Sequence, residues 1–451
     1  MEGTATLSTF GTIDFTVDIP KNISLGPQYV TVSGAGLPKG YVYDFYVDEF
    51  RRPEFEVTTE VLSPDPHLLQ GSVTVKATAS YYAGGPLGDA QVDWYVGSDD
   101  TSYTPPGRGD YAFGAWTPWW DMGPWWPKLY EWFDSQKFTG RTNSNGEHSL
   151  EVSFDRLYPP RPTRVTVGAG VADVNNQRQS SSATLLVHPS SRYVGLKAEK
   201  SFVDEKSGFE LEAIVTDIDG HTLPGVAIEA SLLEVSYDLD ERGIYRQVEK
   251  VAQKLTVSSA ESPVKIQFAP SKGGIYRIRA EVMDDQGRLN RTDYTMWKAG
   301  GMMPDQGKLE LEPLSLVPNR KQYHPGQTAQ VLVMAPFAEG EGLVVWGHDG
   351  LVQKERFQLQ NGSATLAYPL TEELIPNLHA KVTVVGKTRR GEGERPAIAA
   401  GDLSLAISPA SRELSVELLP DGAKLEPGSE VELQALVKDI HGQPVSGSEV
   451  T

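Results

Sequence analysis

The 451-residue chain contains no cysteine, which excludes disulfides, Cys-ligated zinc, iron–sulfur clusters, a thiol nucleophile and a thioester within these residues. Basic residues are in short supply, with Lys plus Arg at 41 against Asp plus Glu at 60 and a net charge of −19. Such a surface repels a phosphate backbone, so nucleic acid is not an expected partner. No apolar run approaches the roughly 20 residues of a membrane helix, and any membrane attachment would come through an anchor outside these residues. The opening Met1 to Gly11 has neither a basic n-region nor an apolar core, so no secretion signal is read there. Sustained helical periodicity is missing; the best stretch, Leu370 to Pro376, is too short to matter. The eight histidines are scattered, and there is no His-Glu-x-x-His pair, Gly-x-Ser-x-Gly elbow or phosphate-cradling glycine loop. No catalytic residue, metal or cofactor is expected.

What is present is alternation with a period of two. Gly71-Ser-Val-Thr-Val-Lys-Ala-Thr-Ala79, Phe209-Glu-Leu-Glu-Ala-Ile-Val215, Tyr276-Arg-Ile-Arg-Ala-Glu-Val282 and Val431-Glu-Leu-Gln-Ala-Leu-Val437 read as strands with one buried face. Turn signals such as Asn145-Gly146, Asp219-Gly220, Gln286-Gly287 and His441-Gly442 separate them. The fold class is therefore all-β, as tandem immunoglobulin- or fibronectin-III-like sandwiches. The length is about three times a usual domain, and a repeat phases it. Phe209 to Gly220 lines up with Val431 to Gly442, and Asp217 and Asp439 stand 222 residues apart, two units near the ~100 residues of a sandwich. Three complete sandwiches are expected at 53–190, 191–298 and 299–410, between partial ones at 1–52 and 411–451, as in part of a longer protein.

One segment breaks the pattern. Tyr111 to Phe138 holds Trp116, Trp119, Trp120, Trp125, Trp126 and Trp132, six of the nine tryptophans, and reads as an insertion at about 105–138 in the first complete sandwich. Clustered tryptophans offer a contact surface for a partner, a glycan or a membrane interface, or they pack against their own or a neighbouring sandwich; packing is the commoner fate. The acidic turns Asp217-Ile-Asp-Gly220 and Asp284-Asp-Gln-Gly287 offer carboxylates around a glycine but lack the downstream glutamate of a calcium loop, so turn chemistry is expected of them. Tyr29 and Tyr276 each follow a glycine at a strand entrance, the setting of a corner tyrosine whose hydroxyl bonds upstream backbone.

Phe45 to Val57, Tyr81 to Val92, Tyr323 to Phe337, Ile375 to Val385 and Leu425 to Val431 together resemble the alpha-2-macroglobulin family, especially its bacterial branch. Phe45-Tyr-Val-Asp-Glu-Phe-Arg-Arg-Pro-Glu-Phe-Glu-Val57 is similar to the boundary between the second and third macroglobulin-like domains. Tyr81-Tyr-Ala-Gly-Gly-Pro-Leu-Gly-Asp-Ala-Gln-Val92 looks like the third domain's hairpin, and Tyr323-His-Pro-Gly through Phe337 like the opening of the fifth. Ile375 to Val385 is similar to a later strand of that domain, and Leu425-Glu-Pro-Gly-Ser-Glu-Val431 to the start of the sixth. The motifs follow family order, so the resemblance spans the end of the second to the start of the sixth domain. It implies the non-enzymatic frame of an endopeptidase inhibitor, in the periplasm or at the cell surface, that encloses proteases after a bait segment is cut. The thioester motif Cys-Gly-Glu-Gln cannot lie in these residues, and the bait is expected after the strand that begins at Val450. Arg389 and Arg390, in a polar glycine-containing stretch, are candidates for a protease-sensitive loop, although family order places them before the bait and an ordinary hairpin is expected. The competing reading is a surface adhesin or glycan-binding module built from immunoglobulin-like repeats.

Overall fold

The structure, a computed structural model, describes residues 26–34, 41–47, 53–116, 118, 136–155, 160–239, 245–303, 311–390, 393–420 and 433–447, together with isolated positions before residue 26. Among them every regular element is a strand apart from two single 3-10 turns, Glu372–Leu374 and Pro409–Arg412. The first of these is all that forms of the weak helical stretch at Leu370 to Pro376.

Three sandwiches follow one another, each a three-stranded sheet packed on a five-stranded one. In the first, Phe55–Val61, Ser72–Tyr81 and Glu147–Ser153 face a sheet ordered His67–Leu68, Arg178–His188, Thr163–Ala172, Gln91–Asp100, Gln136–Arg141. The second sets Arg192–Lys197, Phe209–Asp217 and Val264–Phe268 against Phe202–Val203, Leu289–Lys298, Gly274–Met283, Ala227–Leu239 and Tyr245–Ser258. The third sets Ser315–Pro318, Thr328–Met334 and Ser363–Pro369 against Leu311–Pro313, Gly393–Ala406, Asn377–Arg390, Gly340–Gly347 and Leu351–Leu359. In all three, a two- or three-residue strand runs parallel to the last strand of the larger sheet, and the other pairings are antiparallel.

The alternation read from sequence supplies the cores. In Ser72–Tyr81 the residues Val73, Val75, Ala77 and Ala79 are buried while their neighbours are not. Each sandwich has its own apolar cluster. Trp94 and Trp346, both 1% exposed, lie on the corresponding strand of the larger sheet in the first and third; burying such a ring is worth roughly 3 kcal/mol. At the strand ends one turn recurs. The carboxylate of Asp217 accepts from the His221 N–H at 2.8 Å, that of Asp439 from His441 and Gln443, and that of Asp284 from Gln286 and Arg288. The fourth residue of each turn, Gly220, Gly287 or Gly442, has φ of +75 to +90°, a region that disfavours a Cβ. These acidic turns are hairpin closures, as the missing calcium-loop glutamate implied.

Tyr276 is a corner tyrosine, its hydroxyl donating to the Lys272 carbonyl at 2.9 Å. Tyr323, not singled out by sequence, forms a second corner by donating to Asn319 Oδ1 at 2.7 Å from a 1%-exposed site. Tyr29 departs from expectation. It lies in Gly26–Val32, which pairs with Tyr41–Val47 alone among the described residues, and its side chain is 66% exposed. Among the described residues no second sheet covers that hairpin and the Tyr29 hydroxyl makes no hydrogen bond, so the expected corner is not seen among them. We predict that Tyr323→Phe, measured by chemical denaturation, costs about 1 kcal/mol, because the Asn319 carboxamide oxygen loses one donor and keeps the Gln330 N–H, and that Tyr29→Phe is neutral.

Candidate functional site at the junctions between sandwiches

The long connection between Gln91–Asp100 and Gln136–Arg141 leaves the first sandwich and docks on the second. Its residues 103–116 form a strap. Ala112 and Leu196 exchange backbone hydrogen bonds of 2.8 and 3.0 Å, which adds a rung to the edge of the smaller sheet. Three residues on, the Asp293 N–H donates to the Gly114 carbonyl at 2.7 Å and the Trp116 N–H to the Asp293 carbonyl at 2.9 Å, which adds a parallel rung to the larger sheet. Gly114 N–H also donates to Thr292 Oγ1, which donates to the Val194 carbonyl. The strap thus closes the open side between the two sheets of its neighbour. In the third sandwich the chain does this for itself, since Leu311–Pro313 pairs parallel with Ile398 to Ala400 in the last strand. Unpaired strand edges template association with other chains; the strap covers one stretch of edge in the second sandwich and Leu311–Pro313 one in the third.

Side chains fix the strap in register. Tyr111, Phe113, Tyr193 and Ile214 form a buried apolar cluster on the outer face of the smaller sheet, with Tyr103 and Ile218 against it. The Tyr103 hydroxyl donates to the Ile218 carbonyl at 2.8 Å, and Arg108 Nε to that of Gly220 at 2.9 Å. Burial and the neighbouring Glu212 push Tyr111 up to about 12. Close approach depends on two glycines. A Cβ on Gly195 would stand 2.6 Å from the Phe113 ring, and one on Gly220 2.1 Å from the Pro106 carbonyl oxygen.

Trp116 ends the strap and touches all three sandwiches. Its ring stacks on Tyr294 at 4.5 Å and 16°, meets Trp297 edge-on at 6.2 Å, and packs against the cluster that Phe202 and Trp297 form with Val317, Leu332 and Met334 of the third sandwich. That second junction is also held by hydrogen bonds from the Met303 N–H to the Ala335 carbonyl and from the Gly300 N–H to Ser363 Oγ. A chain of charges runs alongside. Arg161 of the first sandwich reaches Asp293 at 3.3 Å, Asp293 accepts from Arg279 at 2.8 Å, and Glu249 joins Arg279 to Arg277. Asp293 is nearly buried, so its partners are needed to hold its charge.

The linker at residues 188–192 is pinned from the far side by Asp284. This carboxylate also accepts from Ser191 N–H and Oγ at 3.1 and 3.2 Å and from Arg288 Nε at 2.8 Å, and Arg288 reaches back to the Leu69 carbonyl. Burial alone would raise its pKa, but these donors hold it well below the usual carboxylate range. Between the two sandwiches lies a cleft of about 830 Å³ lined by Asp65, His67, His188, Asp217 and Asp219 among others. Among the described residues, Asp217, Asp219 and His221 are the group with metal-ligand spacing. The Asp217 carboxylate meets the His221 N–H at 2.8 Å and its ring nitrogen at 3.0 Å, so the hairpin closure accounts for the grouping.

Of the residues singled out from sequence, the structure places Trp116 in an intersandwich contact. Trp119, Trp120, Trp125, Trp126 and Trp132 lie outside the described residues. Arg389 and Arg390 lie in Asn377–Arg390, with their backbones paired to Glu394 and Gly393; a paired strand must unzip before a protease can take it in extended form. Sequence reading missed Tyr103, Tyr111, Phe113, Tyr193 and the two glycines. The excess length of the insertion was the visible signal, and it named no partner. We predict that Trp116→Ala costs about 3 kcal/mol in denaturant unfolding, and that Gly195→Ala, by displacing Phe113, costs about 1 to 3 kcal/mol.

Residues 314–451 match the family described as the alpha-2-macroglobulin bait region domain. Across 99% of its length the chain is 25% identical to an alpha-2-macroglobulin homolog from Nostoc sp., of which it covers 24%. It is 21% identical over its whole length to circularly permutated Ras protein 2 of Dictyostelium discoideum, covering 13% of that protein. Among solved structures, the native conformation of E. coli alpha-2-macroglobulin aligns with 94% of this chain at 16% identity and a TM-score of 0.44, the chain covering 27% of it. The chain spans about a quarter or less of these relatives' lengths. Residues 314–451 thus match the alpha-2-macroglobulin bait region domain, and over nearly its whole length the chain is similar to a bacterial alpha-2-macroglobulin homolog.

Proposed function

We propose that the chain is the non-enzymatic framework of a bacterial alpha-2-macroglobulin-like endopeptidase inhibitor acting in the periplasm or at the cell surface, with macroglobulin-like domains at 53–190, 191–298 and 299–410. The observation that carries the reading is the kinship to a bacterial homologue over 99% of the chain. The junctions give it a physical basis. A protein that encloses an attacker by rearranging needs a frame whose parts keep fixed separations, and the strap, the Asp293 charge chain and the Trp116 contact supply such couplings between successive sandwiches. The chain's partners are then proteases, reached through the whole protein, and the neighbouring macroglobulin-like domains.

The whole protein tests this. After incubation with an endopeptidase, cleavage of a large protein substrate should fall while cleavage of a small peptide substrate persists, because an enclosed protease still admits small molecules. Undiminished cleavage of the large substrate at excess inhibitor would contradict the reading.

A further inference from the structure

The junction between the first and second sandwiches buries a histidine at its pivot. His188 is the last residue of Arg178–His188, four residues before the next sandwich begins at Arg192, and it is 5% exposed. Its Nδ1 lies 2.7 Å from the Tyr193 hydroxyl of the second sandwich. Its ring meets that of Tyr103, from the strap, edge-to-face at 4.8 Å, and that of Tyr193 at 5.8 Å. The one side chain therefore touches both the strap and the sheet on which the strap docks. The titratable groups around it are Tyr103 and Tyr193 in the aromatic box, His67 beside it with Nε2 3.0 Å from Asp65 Oδ1, and Asp217 and Asp219 across the cleft.

We propose that this junction is an acid-sensitive hinge, in which protonation of His188 releases the strap and the second sandwich from the first. In the docked state the Tyr193 hydroxyl, kept protonated by burial, can donate to a neutral Nδ1. A protonated imidazole offers N–H at both nitrogens, so that bond must reverse while a charge sits among aromatic rings with little water. Opening the junction hydrates the charge. Burial is the main cause that lowers His188 to about 4; His67 acts in the same direction and Asp65 against it.

The sign follows from linkage. Docking favours neutral His188, so docking is at full strength above the free value of about 6.5 and weakens as pH falls from there toward 4. The docking constant should drop about 30-fold by pH 5. The Asp284 pin does not contribute in this window, because its carboxylate stays ionised until far lower pH. The pin remains as the pivot while the aromatic side opens.

The absence of cysteine allows dyes to be placed at Val174→Cys and Ser262→Cys, exposed sites on the two sandwiches, and energy transfer between them to be followed from pH 7.5 to 4.5. The expected result is a reversible change in transfer below pH 6.5. It should be absent in His188→Gln and in the double variant His188→Phe/Tyr193→Phe, which fills the box without a titrating group or an orphaned hydroxyl. His67→Gln should retain the change. No change in the parent chain, or the same pH profile in the double variant, would overturn the proposal.

Discussion

The second sandwich cannot close its own side. Its first strand, Arg192–Lys197, pairs with Phe209–Asp217 in the smaller sheet, and its short Phe202–Val203 covers the end of the last strand alone, so Leu196 and Asp293 face a gap. Residues 111–116 of the preceding sandwich fill that gap with two rungs of backbone hydrogen bonding and three large rings, Tyr111, Phe113 and Trp116. Everything else at the junctions is arranged around this fact. The glycines at 195 and 220 make room for the strap, Asp293 is shared between the larger sheet and Arg161, and Trp116 extends the contact to the third sandwich.

Borrowing an edge has a mechanical consequence. Units joined by a bare linker tumble independently unless their interface is large and apolar. Here the interface is part of the second sandwich's own sheet closure, so separating the units also exposes that sandwich's strand edges and the outer face of its smaller sheet. Loosening one part therefore weakens another.

Much of the fold was legible in the sequence. Val73, Val75, Ala77 and Ala79 alternate because a strand with one buried face must, and Asp217-Ile-Asp-Gly220 spells a turn whose carboxylate caps its own backbone. Asp217 and Asp439 read as a repeat because each carboxylate caps the backbone of its own turn in the same way. The junction was not legible. Its contacts join residues about 80 to 180 positions apart, Ala112 to Leu196 and Gly114 to Thr292, and no local pattern encodes which sheet edge a long loop will find. Trp116 was visible as one of a cluster, but its role depends on Tyr294 and Trp297, whose spacing from it carries no periodic signal. Tyr29 misled for a related reason: a corner needs a second sheet to turn against, and the local Gly-Pro-Gln-Tyr sequence does not show whether one is there.

The central claim is that the sandwiches at 53–410 are coupled into one cooperative body rather than strung as independent beads. Differential scanning calorimetry of the chain tests it most directly, through the ratio of the van't Hoff to the calorimetric enthalpy. The first and second sandwiches, at least, should melt in a single transition with a ratio near one. Separate transitions assignable to each sandwich, unchanged when Trp116 is replaced by Ala, would contradict it.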